Sequence, residues 1–228
     1  MNSWTSYVDG YCERVEPGFW GEPLNALTNL AFIIGAAVVW SRLSKGRDLQ
    51  ARVLVIILAA IGAGSFLFHT FATRWAALAD VIPIAAFVLY FLYLANRHCL
   101  GLRVTPALAM TLLFFAYAPA ATWAIGAIMP GIGESAGYGS IAVLIFIYAG
   151  LAWRRHPDTG SGLALGGTTL VISIGFRIAD QPLCDLIPTG THAMWHVLNS
   201  IMLSWMIMVM RSRIEQAAMD APGSGSRS

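Results

Sequence analysis

Five polar side chains with catalytic potential occur in segments of the chain that are otherwise apolar. They are Ser65 and His69 in GAGSFLFHT, Asp80 in ALADVIP, and His192 and His196 in THAMWHVLNS. A spacing of four residues places both members of a pair on one helical face. Ionisable groups inside apolar spans are costly and usually mark a functional interior, so these residues indicate a site inside a membrane protein.

The chemistry available to these side chains is that of a metal-dependent hydrolase. Three imidazoles match the protein ligands of a catalytic zinc, which leaves a fourth position for water and lowers the pKa of that water to about 7. Asp80 is expected to accept the proton of the water and pass it to a leaving group. Ser65 is expected to donate a hydrogen bond to the developing oxyanion. Such groups suit the hydrolysis of an amide or an ester.

Each of these residues also has a plainer interpretation when it is taken alone. A membrane histidine often only hydrogen-bonds a neighbouring helix, and an H-x-x-x-H pair also occurs in packing and haem contacts. Asp80 is compatible with a helix cap. Ser65, in a Gly-Ala-Gly context, is compatible with close helix packing. The joint occurrence of three imidazoles, a carboxylate and a hydroxyl favours the catalytic interpretation.

The composition predicts an all-α integral membrane bundle. Of the 228 residues, 57% are hydrophobic and only 11% are charged, far less charge than a soluble domain of this size carries. Apolar runs of about 20 residues, the length that crosses a bilayer, recur along the chain. They predict seven transmembrane helices near 24–41, 53–71, 76–95, 104–124, 137–153, 162–178 and 191–210. Residues 1–212 then form one membrane domain that includes an exported N-terminal segment, 1–22, and residues 213–228 form a flexible cytoplasmic tail.

The distribution of basic residues predicts the orientation of these helices. Lysine and arginine concentrate in the links after the first, third and fifth spans and after the seventh, the pattern of cytoplasmic segments. The N-terminus is therefore expected outside and the C-terminus in the cytoplasm. This orientation puts all five polar residues at the non-cytoplasmic ends of their helices, the level at which lipid head groups meet acyl chains. The expected location is a bacterial inner membrane, with the active site toward the periplasm.

Several motifs resemble those of the alkaline ceramidases, which belong to the CREST superfamily of seven-helix, metal-dependent membrane hydrolases. SFLFHT is followed eleven residues after its histidine by Asp80, and HAMWH lies near the end of the chain. YCERVEPGFWGEPLNALTN and RIADQPLCDL extend the resemblance over most of the sequence. The resemblance implies zinc at His69, His192 and His196, with Asp80 activating the water and Ser65 assisting the oxyanion.

The resemblance also implies a calcium ion held by acidic residues of the exported segment. Glu13 and Glu22 match this pattern, but Gly10 stands where an aspartate is usual and Val15 replaces an asparagine. Asp9, one place before Gly10, would supply a hard oxygen ligand instead. The alternative is that these acids only keep the exported segment soluble and translocatable.

The three cysteines are divided between the two predicted sides of the membrane. Cys12 and Cys184 lie outside, and both occupy positions where the resemblance also has a cysteine, whereas Cys99 adjoins a cytoplasmic link. Disulfides persist in oxidising compartments, so Cys12 and Cys184 are the candidates to pair. Two buried free thiols are the alternative.

The predicted function is a zinc-dependent intramembrane lipid amidase that hydrolyses ceramide or a related N-acyl lipid to a fatty acid and a long-chain amine. Its partner is a membrane lipid substrate, with no nucleic acid and no obligate protein partner expected. One alternative is a receptor-like protein of the adiponectin and progestin receptor branch, which shares the metal motif but usually has a cytoplasmic N-terminus. Another is a haem protein, which leaves Ser65 and Asp80 without a role.

Overall fold

The fold consists of seven helices that are long and apolar enough to cross a membrane. The computed structural model describes residues 3–8, 10–44 and 46–220. Within these residues the helices are α1 (Pro23–Ser41), α2 (Leu49–Phe71), α3 (Arg74–His98), α4 (Val104–Ile128), α5 (Pro130–Trp153), α6 (Pro157–Ala179) and α7 (His192–Met219). The first turns of α5, Pro130–Ser135, are a 3₁₀ helix. The all-α class and the number of spans are confirmed, and the chain is a multi-pass membrane protein.

The last helix is longer than its hydropathy predicts. Helix α7 continues to Met219, past residue 213, where the cytoplasmic tail was predicted to begin. Arg213 is only 6% exposed, and its Nε donates a hydrogen bond to the carbonyl oxygen of His98, 2.8 Å away. This contact fixes the end of α7 against the end of α3. Residues 221–228 lie outside the described residues.

Helices α2 and α7 are the centre of the bundle. Helix α2 packs against α1, α3 and α7, and α7 also packs against α1 and α6. Helix α4 lies at the periphery of the bundle. Only 6% of its apolar 18-residue stretch is buried inside the protein. Its exposed side chains include Trp123 and Ile128, which are large and apolar. Such a surface is suited to contact with lipid, because a helix that spans the bilayer is surrounded by acyl chains and not by water.

The approach of α2 to α3 depends on one glycine. A Cβ placed on Gly64 would lie 2.7 Å from the carbonyl carbon of Ala79 and 3.1 Å from the backbone nitrogen of Asp80, and closer still to the carbonyl oxygen of Ala79. A glycine therefore allows the two backbones to touch, as small residues do between membrane helices. This contact brings Ser65, the next residue on α2, close to Asp80 on α3.

The N-terminal segment lies across one end of the bundle. Its backbone is hydrogen-bonded to the link between α2 and α3, with Val8 N donating to Ala72 O at 2.8 Å and Arg74 N donating to Ser6 O at 3.2 Å. A disulfide between Cys12 and Cys184 ties the same segment to the link between α6 and α7. The ends of four helices are therefore covered by residues that precede the first helix. Which side of the membrane this end faces stays a prediction.

Candidate metal centre

Three buried histidines converge beneath the N-terminal segment. His69 lies near the end of α2, and His192 and His196 occupy the first two turns of α7, which runs in the opposite direction. Each side chain offers a ligand atom, and these atoms lie within 4.8 Å of one another. Within the described residues, this is the one group of three or more histidine, cysteine or acidic side chains close enough to share a metal ion.

Two of the imidazoles are held by hydrogen bonds at Nδ1, which leave Nε2 available to a metal. The Nδ1 of His69 lies 2.6 Å from Oε2 of Glu22. The Nδ1 of His196 lies 2.9 Å from the Thr28 hydroxyl, which itself donates to the carbonyl oxygen of Leu24 at 2.8 Å. Because Thr28 uses its proton on Leu24, its oxygen accepts from His196. Metal-bound histidines usually donate their second N–H to such an oxygen, which fixes the tautomer.

The third imidazole has an unpaired nitrogen. Nδ1 of His192 is buried and has no hydrogen-bond partner among the described residues. A buried polar atom without a partner is costly in free energy unless a ligand takes it. The ring of Tyr11 stacks on His192, with centroids 3.8 Å apart and planes inclined by 28°. The unpaired nitrogen, the two oriented imidazoles and the close spacing fit a resident metal ion.

Asp180 positions the start of α7 and was not singled out from the sequence as a site residue. Its Oδ1 accepts hydrogen bonds from the backbone nitrogens of Thr191, at 2.7 Å, and His192, at 2.9 Å, while Oδ2 accepts from Cys12 N at 3.1 Å. Gly190 has a φ of +67°, and a Cβ there would lie 2.9 Å from Cγ of Asp180. The carboxylate thus satisfies free N–H groups at the start of the helix, as a capping residue does.

Ser65 and Asp80 line a cavity together with two of the three histidines. The lining of the cavity includes both residues together with His192 and His196. Ser65 is buried, Asp80 is half-buried, and the Ser65 hydroxyl interacts with the Asp80 carboxylate. The structure therefore brings all five residues singled out from the sequence to one end of the bundle. Their catalytic roles stay predictions.

Arg177 and Tyr11 form a second part of the cavity wall that sequence reasoning missed. The Arg177 guanidinium lies 5.6 Å from the ring centroid of Tyr11, 5.5 Å from that of Tyr138 and 5.7 Å from that of Trp195. Its Nη1 donates to the Tyr11 hydroxyl at 3.1 Å. Arginine commonly stacks on aromatic faces, and the arrangement holds a positive charge in the wall of the cavity. The only signal in the sequence was an arginine near the end of an apolar span.

An apolar cavity adjoins the cavity that contains the polar residues. Apolar or aromatic side chains from α3, α5, α6 and α7 make up its wall. The two cavities share part of their lining, the residues Val88, Ile141, Met202 and Leu203. The adjoining cavity therefore offers an apolar environment next to the polar residues.

The acidic residues predicted to hold calcium have other partners in the structure. The two carboxylate oxygens of Glu13 accept from the backbone nitrogens of Leu24, at 2.6 Å, and Asn25, at 2.8 Å, in the first turn of α1. Glu22 is buried and contacts His69 and Arg14. Asp9 lies outside the described residues. The calcium site therefore stays a prediction.

The surroundings of Glu22 keep this carboxylate ionised. Burial acts to raise its pKa, but hydrogen bonds from His69, Arg14 and Asn25 outweigh burial and hold the pKa of Glu22 below its ordinary value. Hydrogen bonds to a carboxylate favour its charged form in this way. An ionised Glu22 is the stronger acceptor for the imidazole N–H of His69.

The sequence model of the ceramidase family matches residues 3–222. The chain belongs to the ceramidase family. No curated protein is similar enough to this chain to count as a match. Membership of the ceramidase family indicates a hydrolase that acts on an amide bond and implies a lipid substrate. It supports the predicted hydrolase rather than the receptor-like alternative.

Proposed function

We propose that this protein is a zinc-dependent amidase that cleaves the amide bond of ceramide or a related N-acyl lipid, releasing a fatty acid and a long-chain amine. The observation that supports it most directly is the shared cavity, since Ser65 and Asp80 line it together with His192 and His196. A hydroxyl and a carboxylate beside a three-histidine group are the components of amide hydrolysis.

The donor set favours zinc over magnesium and calcium. Three neutral imidazoles suit zinc, whereas magnesium and calcium take oxygen ligands. Bound to His69, His192 and His196, zinc would supply a Lewis acid and lower the pKa of a water molecule to about 7. The hydrogen bonds of His69 to Glu22 and of His196 to Thr28 keep two rings in the tautomer that such a site requires.

Asp80 and Ser65 have complementary roles in the proposed reaction. The Asp80 carboxylate accepts a proton from the attacking water as the water oxygen bonds to the carbonyl carbon of the amide. Ser65 donates a hydrogen bond to the oxygen on which negative charge develops. Asp80 then returns the proton to the amide nitrogen while the carbon–nitrogen bond breaks. The products are a fatty acid and an amine.

The apolar cavity is the proposed site of the acyl chain. Its wall is made of apolar and aromatic side chains, and it adjoins the polar cavity along Val88, Ile141, Met202 and Leu203. The apolar wall would surround the alkyl chain as the bilayer does, so the chain can enter without any methylene group meeting water. A lipid with its amide beside Asp80 would thus have its chain inside the bundle.

The disulfide supports the predicted orientation. Cys12 and Cys184 are bridged at the end of the bundle that carries the histidines, whereas Cys99 is a free thiol next to the last residue of α3, at the other end. Disulfides persist in oxidising compartments and are rare in the cytosol. We accordingly place the active site on the non-cytoplasmic side, the periplasmic side if the protein comes from a bacterial inner membrane.

The proposed function is tested by offering the purified, zinc-loaded protein a panel of lipids and measuring the fatty acid released. The panel contains ceramide, an N-acyl amino acid and an ester lipid with the same acyl chain. Release from ceramide by the wild type, and none by the His196→Ala variant, is the expected result. A zinc-loaded protein that hydrolyses none of the amides would refute the amidase assignment, and faster hydrolysis of the ester would correct the bond that is cleaved.

A further inference from the structure

A buried arginine lies next to the metal centre, and the proposed reaction does not use it. Arg14 is only 4% exposed although it belongs to the N-terminal segment outside the helices. Its Nε donates to Oε1 of Glu22 at 2.6 Å, Nη1 donates to the carbonyl oxygen of Gly18 at 3.0 Å, and Nη2 donates to the carbonyl oxygen of His69 at 2.7 Å. All three nitrogens of the guanidinium therefore have an oxygen partner.

The oxygens around Arg14 are of the types that bind hard cations. One carboxylate and two backbone carbonyls converge on the guanidinium, and calcium takes the same kinds of ligand. The backbone also closes tightly on this group, because a Cβ on Gly21 would lie 2.6 Å from Nη1 and 3.1 Å from Cζ of Arg14. The space between these oxygens is filled by a side chain that cannot lose its charge at physiological pH.

The acidic residues implied for calcium do not fit an ion in this arrangement. Both oxygens of Glu22 are engaged, Oε1 by Arg14 and Oε2 by His69 and Asn25. Both oxygens of Glu13 accept backbone N–H groups at the start of α1. An ion that displaced Arg14 would leave a buried guanidinium without partners, at a large cost in free energy.

We propose that the Arg14 guanidinium takes the place of a calcium ion, as a built-in cation that positions His69 for metal binding. The inference rests on the proposed three-histidine metal site. Arg14 contacts His69 twice, directly through the backbone carbonyl and indirectly through Glu22, whose other oxygen holds Nδ1 of the imidazole. It is thus a positioning residue, and it fixes both the backbone and the ring of one metal ligand.

The first test titrates calcium chloride into purified, zinc-loaded wild-type protein that has been depleted of calcium. Chelators are avoided during the titration because they would also remove zinc. Calorimetry is expected to show no saturable binding, and the melting temperature in detergent is expected to match that measured with magnesium chloride at equal ionic strength. Saturable binding of about one calcium per chain, with a raised melting temperature, would overturn the proposal.

The second test measures the zinc affinity of the Arg14→Ala and Arg14→Lys variants. Loss of an outer-shell partner of a metal ligand typically lowers metal affinity by 10–100-fold, and we expect Arg14→Ala to fall in this range. Arg14→Lys keeps the charge but lacks the planar fork, so an intermediate affinity is expected. Arg74→Ala is the matched control, because Arg74 is exposed on the same end of the bundle. Equal zinc affinities in Arg14→Ala and the control would contradict a positioning role.

Calcium added to the Arg14→Ala variant gives a direct comparison with the wild type. Without the guanidinium, the carboxylate of Glu22 and the two carbonyls are open to an ion, so calcium is expected to raise the zinc affinity of the variant and not that of the wild type. The absence of any calcium effect on the variant would contradict the statement that Arg14 fills the place of an ion.

If Arg14→Ala does not fold, the wild-type titration still decides whether calcium binds. None of these measurements uses a substrate, so their outcome is independent of the proposed reaction.

Discussion

The contact of α2 with α3 at Gly64 allows the proposed catalytic geometry to be tested without altering Ser65 or Asp80. In the Gly64→Ala variant the new methyl group meets the carbonyl of Ala79, which is backbone and cannot rotate away. Its distance of 2.7 Å from the carbonyl carbon must increase to the ordinary contact distance of 3.4 Å, so the helices must separate by at least 0.7 Å. Asp80 follows Ala79 directly and moves with it, away from Ser65.

The expected effects follow from this displacement. Overpacking of a tight contact destabilises a protein by about 1–3 kcal/mol, which should appear as a lower melting temperature in detergent. A misplacement of about 1 Å at a catalytic group can lower the rate by about 10²-fold, and we expect a loss of turnover of that order. Zinc content should stay at the wild-type level, because all three histidines lie on α2 and α7 and not on α3.

The assay measures fatty acid release and bound zinc in Gly64→Ala and in a matched control. Gly150→Ala is suitable, since Gly150 is also within a helix and a Cβ there would meet nothing within 4 Å. The control should keep both its zinc and its activity. Wild-type turnover in a folded, zinc-loaded Gly64→Ala protein would show that the placement of Asp80 relative to Ser65 does not govern the rate, and the reasoning would fail.

Further substitutions separate metal binding from catalysis. His196→Ala should lose both zinc and activity, and full zinc occupancy in this variant, measured by elemental analysis, would show that the ligand assignment is wrong. Ser65→Ala should retain zinc and turn over about 10²–10³-fold more slowly, whereas unchanged turnover would exclude Ser65 as an oxyanion donor. Asp80→Asn should also keep its zinc but lose most turnover, because an amide cannot accept the proton; a rate close to that of the wild type would point to another base. Thr28→Val should weaken zinc binding by about 10–100-fold, because it removes the acceptor of His196 Nδ1. Thr28→Ser keeps the hydroxyl and should bind zinc as tightly as the wild type. Equal zinc affinities in the wild type and both variants would contradict the role of this hydrogen bond.

The part of the structure that sequence could predict is the part governed by local periodicity. Span length and apolar composition depend on the bilayer, so seven helices could be counted without any knowledge of their packing. The number of spans also determines which helix ends lie on the same side of the membrane. On this basis His69, Asp80 and His192 were predicted to lie at one membrane level. The pairing of residues four apart then identified Ser65 and His196. All of these inferences used separations of a few residues or a count of crossings.

The parts that escaped sequence reasoning depend on contacts between distant segments. Thr28 is an ordinary helical threonine by its neighbours, yet it hydrogen-bonds His196, 168 positions later. Arg14 and Asp180 lie outside the helices, where no period restricts which partner a side chain meets. Their contacts with His69 and His192 follow from the folding of the N-terminal segment over the bundle.

The end of α7 shows a different reason for a missed boundary. Hydropathy falls after Met210 because charged residues follow, but these residues favour a helix as much as apolar ones do. Arg211 and Glu215 form an ion pair four residues apart, with 2.7 Å between Nη2 and Oε1, which supports the helix after it leaves the apolar region. Composition identifies where a helix leaves a membrane and not where the helix ends.

The covering of the site by the N-terminal segment has a consequence for the order of events during biosynthesis. The ribosome makes the N-terminal part of the covered site first, with Tyr11, Cys12 and Arg14. Three of the residues that they contact, Asp180, Cys184 and His192, are made only with the last part of the bundle. The disulfide joins positions 172 residues apart, and Tyr11 can stack on His192 only after α7 has been inserted. A ribosome-bound chain with six helices in the membrane therefore has no closed metal site. If His192 and His196 hold the metal of the proposed reaction, hydrolysis begins only when the seventh helix has joined the other six, and an incomplete chain leaves the surrounding lipids intact.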